Sequence, residues 1–192
     1  MNNYKLRNLI FLTLCCDMGL FSKRLIAPVA NIVTDMLRIP GGIGTSFSLM
    51  FLVVAAALIH VRGCATMMGF VQSMIALSMG MIGSMGALSP IGYVVPGIII
   101  DLVFLVSRKM NTELLPVMTI ANMLGAAAAC MTANIIVFHL RGVPLALYLA
   151  VALASGAVCG PLGCSLVRRL GPILTDPART AVSPTAPDNN QI

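Results

Sequence analysis

Charge is scarce in this sequence. Asp, Glu, Lys and Arg make up 9% of its 192 residues against 58% hydrophobic ones, and mean hydropathy is +0.97. Soluble domains carry about 25% charged residues. A water-soluble globular chain is therefore excluded, and an all-α integral membrane protein is expected. Tryptophan is absent and only three tyrosines occur, so no basic stripe is interleaved with aromatics. The net charge of +6 then fits Lys and Arg at the cytoplasmic ends of membrane helices, and nucleic acid is not an expected partner. The two histidines, His60 and His139, are isolated near the ends of apolar runs and are read as interfacial. There is no nucleotide-binding loop, no HExxH and no GxSxG, and the six cysteines have no metal-ligand spacing. The chain is accordingly read as a non-enzyme with no metal, no cofactor and no energy source of its own. Cys15, Cys16, Cys130 and Cys159 lie inside apolar runs as small packing residues.

Six apolar stretches can be drawn, at about 6–22, 43–61, 64–83, 91–107, 114–138 and 144–167. Lys23-Arg24 closes the first, Arg62-Gly63 divides the second from the third, and GALSP at 86–90 precedes the fourth. Arg108-Lys109, Arg141-Gly142 and Arg168-Arg169 close the last three. The N-terminus has a basic start and a short apolar run, but no small-residue cleavage site follows, so it is kept as the first helix. With the N-terminus inside, the cytoplasmic segments hold Lys5, Arg7, Arg62, Arg108, Lys109, Arg168, Arg169 and Arg179. The outer segments hold Lys23, Arg24, Arg38 and Arg141. This bias predicts a bundle of six transmembrane helices with both termini cytoplasmic. Residues 1–170 form that one domain, and the Pro- and Thr-rich residues 171–192 form a disordered cytoplasmic tail. The segment at 23–42, interrupted by Pro28 and Pro40, is read either as an outer lid or re-entrant piece or as a surface loop.

Polar residues within the apolar runs are the candidates for function. Asp101 falls eleven residues after Pro90, about 16 Å along a helix and near the bilayer midplane. A carboxylate there must face protein or water. Tyr93, Gly97 and Asp101 share a helix face, Gly97 leaves a notch beside the carboxylate, and Pro96 can kink the helix. Asp101 serves either a ligand or a neighbouring helix. Gln72 and Asn122 need partners in lipid, supplied by other helices or by a ligand. Gly156, Gly160 and Gly163 are read as close-packing positions. Asp17, six residues before Lys23, is read as a structural or partner-facing pair with it.

The stretch MFLVVAAALIHVRGCATMMGFVQSMIALSMGMIGSMG, then GYVVPGIIIDLVFL and ASGAVCGPLGCSLVRRLG, resembles the substrate-binding S components of energy-coupling factor (ECF) transporters. The nearest likeness is to the hydroxymethylpyrimidine/thiamine type, over about residues 8–171, and it rests on glycine placement and hydropathy. The resemblance implies a six-helix subunit in a prokaryotic plasma membrane, surrounded by lipid, that captures a water-soluble vitamin or precursor from outside. Its implied partners are a transmembrane coupling subunit and two cytoplasmic ATPase subunits. It matches Asp101 to an acidic position in the family's fourth helix and implies a coupling face at Cys15 and Gly19. The candidate substrate contacts are then Gln72, Ser84, Tyr93, Asp101 and Asn122, with Asp101 below an outward pocket built from the loop around Ser84–Ser89, Tyr93 and the two amides. Gln72 stands where such relatives tend to carry a carboxylate. The alternative reading is a stand-alone secondary transporter or channel using its intramembrane Asp residues.

Overall fold

The computed structural model describes residues 2–37, 43–59, 61–80, 89–110, 113–136 and 142–175. All regular structure among them is helical. The six helices are α1 (Asn2–Leu37), α2 (Ile43–Ile59), α3 (Cys64–Ser78), α4 (Ser89–Met110), α5 (Leu114–Ile136) and α6 (Val143–Thr175). Three stretches are long and apolar enough to cross a membrane: Pro90–Lys109, Leu114–Ile135 and Val143–Gly171. Gly44–Ile59 and Cys64–Ser78 are apolar but shorter.

Three helix ends differ from the sequence expectation: two helices run on and one stops early. The first apolar run ends at Lys23-Arg24, but the helix continues to Leu37 through Pro28. Lys and Arg end an apolar run without ending a helix, because both are good helix formers. Residues 23–37 are thus neither a surface loop nor a re-entrant turn, and residues 38–42 lie outside the described set. At about 54 Å, α1 is longer than the roughly 30 Å hydrocarbon layer. α3 stops at Ser78 rather than near residue 83. Gly80 takes φ 67° there, and its N–H bonds Leu77 O at 3.1 Å, a left-handed glycine stop. α6 runs on to Thr175, and the rest of the expected tail is outside the described residues.

α2 is the axis of the bundle. Six successive residues, Leu52 to Ala57, are all buried, so the middle of this helix is covered on every side. α2 touches each of the other five helices, which follow one another around it in the order α1, α3, α4, α5, α6. The ring is thinnest between α6 and α1. Phe47, Phe51 and Leu58, on one stripe of α2, stay partly exposed. Phe47 and Phe51 stack edge to face with centroids 5.9 Å apart.

Neighbouring helices meet backbone to backbone. A Cβ at Gly69 would lie 2.5 Å from Tyr93 O, and one at Gly97 would lie 2.6 Å from Ala65 O, which fixes α3 antiparallel to α4. The notch expected beside Asp101 at Gly97 is therefore filled by the α3 backbone. α6 seats Gly156 on Met123 and Gly160 on Thr119 of α5 in the same way, as expected of small-residue packing.

Gly160→Leu should force α5 and α6 apart and cost about 1–3 kcal/mol, read as a lower unfolding midpoint in detergent. Gly171→Ala, whose new Cβ would meet Leu58 at an ordinary 3.8 Å, should not lower the midpoint, since alanine favours the helix.

Candidate functional site: the buried polar residues and the cleft beside Asp101

Asp101 sits on α4 opposite the start of α3. Gly63, before that helix, has φ 81° and offers no side-chain cap. The first amides of α3 therefore need an acceptor from elsewhere. Asp101 supplies it across the helix pair: Oδ1 accepts from the Ala65 N–H at 3.1 Å, and Oδ2 accepts from the Thr66 N–H at 2.7 Å and the Thr66 hydroxyl at 2.6 Å. These are the amides an N-cap side chain would satisfy, and a negative charge there is favoured by the helix dipole. The carboxylate is a helix cap donated by a different helix.

The other candidates are engaged with other helices. Gln72, 1% exposed, donates Nε2 to Cys16 O of α1 at 3.3 Å. The Ser48 hydroxyl of α2 donates to Gly19 O at 2.9 Å, so α1, α2 and α3 join around Gly19. A Cβ on Gly19 would lie 2.8 Å from Gln72 Nε2. Cys15 and Gly19 are both buried, so this face of α1 is occupied within the chain. Tyr93 receives Lys23: Nζ donates to the phenol oxygen at 3.0 Å and stands 4.3 Å from the ring centroid. Lys23 therefore turns to α4 rather than Asp17, because residues six apart point about a third of a turn away from each other. Asp17 is exposed. Asn122, fully buried, donates Nδ2 to Gly156 O at 3.2 Å, while its Oδ1 has no partner. Close by in the α6 chain, Ser155 donates to Ala152 O at 3.0 Å and so accepts from Ser46 of α2 at 2.7 Å.

Gln72, Tyr93, Asp101 and Asn122 are thus distributed over different helix pairs and do not line one pocket. Ser84 lies outside the described residues. A cleft of about 640 Å³ does open beside Asp101 and Thr66. Its mouth carries Arg62, Arg108 and Lys109, and its wall carries Ile98, Leu102 and Leu105. It lies at the end of the bundle that the charge count assigns to the cytoplasm, opposite the expected outer pocket. The three cations enter the sequence reading as stops between apolar runs and as part of the cytoplasmic charge bias, not as a cluster. The fact that α2, α3 and α4 bring them together depends on the antiparallel packing. No protein-family model matches the chain, and neither a curated protein nor a solved structure matches it.

Asp101→Ala leaves two amides and a hydroxyl without an acceptor and should cost about 1–3 kcal/mol; Asp101→Asn, which keeps one oxygen, should cost less. Hydrogen exchange at the Ala65 and Thr66 amides should quicken in Asp101→Ala. Unchanged exchange there would show that the carboxylate does not hold the start of α3.

Proposed function

We propose that the chain is a membrane-embedded capture subunit of an ATP-driven importer of the ECF kind. In this reading six helices span a prokaryotic plasma membrane with both termini cytoplasmic, and the subunit binds a water-soluble vitamin or precursor from outside. A thiamine-type pyrimidine stands first among the ligands. The resemblance in glycine placement supports this reading, as does the bias of Lys and Arg to one side.

The observation that carries it is Asn122 Oδ1, a fully buried acceptor without a donor at the seam of α5 and α6. Such an atom is costly to leave unpaired. A ligand bearing an N–H or O–H group, as an aminopyrimidine does, would supply the missing bond. Binding would then require α5 and α6 to part locally, since Asn122 is fully buried between them.

The coupling subunit would meet a different face of α1 from Cys15 and Gly19. Ile10, Leu14, Met18, Phe21 and Leu25 are all exposed along one stripe. ATP hydrolysis would be supplied by the two partner ATPases, and this chain would carry no chemistry.

The test is native mass spectrometry after co-expression with a coupling subunit and two ATPases. The expected result is a retained vitamin-like molecule and bound partner subunits, with Asn122→Leu reducing ligand retention about tenfold. A chain that binds neither ligand nor ATPase, and whose uptake follows an ion gradient, would replace this reading with that of a secondary transporter.

A further inference from the structure

The cleft beside Asp101 has a chemistry unlike that of a vitamin pocket. Along α4, Ile98, Leu102, Leu105 and Lys109 recur at intervals of four, three and four residues, so they share one face. The three apolar residues are 46%, 57% and 56% exposed. The stripe ends in Lys109, with Arg108 beside it and Arg62 facing from the turn before α3. All three cations are exposed. The one carboxylate in the cleft, Asp101, lies about 10 Å deeper along the helix and is held by the amides of α3. The mouth is therefore positive and the wall apolar.

The dimensions fit a lipid. From Lys109 to Ile98 the stripe runs about 16 Å, and one leaflet of hydrocarbon is about 15 Å deep. We propose that this cleft is a binding site for one anionic phospholipid. Its phosphodiester headgroup would sit among Arg62, Arg108 and Lys109, and an acyl chain would lie along Leu105, Leu102 and Ile98. Basic pockets between membrane helices suit such headgroups because they pair the phosphate while the chain stays in hydrocarbon. A soluble anion would satisfy the cations but would make no use of the apolar wall that continues from them. This site does not depend on the transport reading.

The experiment is native mass spectrometry of the purified full chain, titrated in detergent with phosphatidylglycerol or phosphatidylcholine of identical acyl chains. One phosphatidylglycerol should be retained about tenfold more readily than phosphatidylcholine. The triple variant Arg62→Gln, Arg108→Gln, Lys109→Gln should abolish that preference. Leu102→Asn should weaken retention of both lipids while keeping their ratio. Arg168→Gln with Arg169→Gln, at the same end on α6, should change nothing. Inorganic phosphate should not displace the lipid. If the triple variant does not fold, the single variants Arg108→Gln and Lys109→Gln, both at the exposed end of α4, carry the comparison. Equal retention of the two lipids would overturn the site. So would displacement by phosphate, or an equal effect of the α6 pair.

Discussion

A polar group buried away from water must find its partner inside the protein, and this bundle is organised around that constraint. The polar side chains buried among the helices mostly reach a partner on another helix. Asp101 ties α4 to α3, Gln72 ties α3 to α1, Ser48 ties α2 to α1, Asn122 ties α5 to α6, and Ser46 ties α2 to α6. Apolar packing between membrane helices is weakly directional, since lipid tails are as apolar as leucine. These few hydrogen bonds therefore do more to set the axial register of the helices than their number suggests. The glycines at 69, 97, 156 and 160 bring backbones close enough for such short side chains to reach.

The helical class and the six segments were legible in the sequence because a hydrophobic run is a local property. Arg62, Arg108 and Gly142 mark real boundaries for the same reason. The overrun of α1 was not legible, because Lys23-Arg24 interrupts hydropathy without interrupting helix propensity. The role of Asp101 was half legible: the cost of a carboxylate in lipid demands a partner, yet periodicity along α4 cannot name a partner on α3. Its acceptors are needed because Gly63 brings no side chain to the start of α3, which is visible only when both helices are considered together. Gln72 and Asn122 posed the same question and found carbonyl partners on α1 and α6.

The two ends of the bundle differ in kind. At the Tyr93 end, Lys23 of α1 is folded against an aromatic ring. At the other end Arg62, Arg108 and Lys109 stand exposed beside an apolar wall. Between them the buried amide of Asn122 keeps one acceptor unspent. The interior thus holds one unpaired acceptor, and the opposite rim holds exposed cations beside apolar side chains.

The covered position of α2 has a consequence for biogenesis. α2 leaves the ribosome before α3, α4, α5 and α6, yet its burial depends on them. Until then α1 alone can cover it. Ser46 is tolerable during that wait because a serine hydroxyl can bond a carbonyl of its own helix before it exchanges that partner for Ser155. The central helix is thus the one that waits longest for its final neighbours.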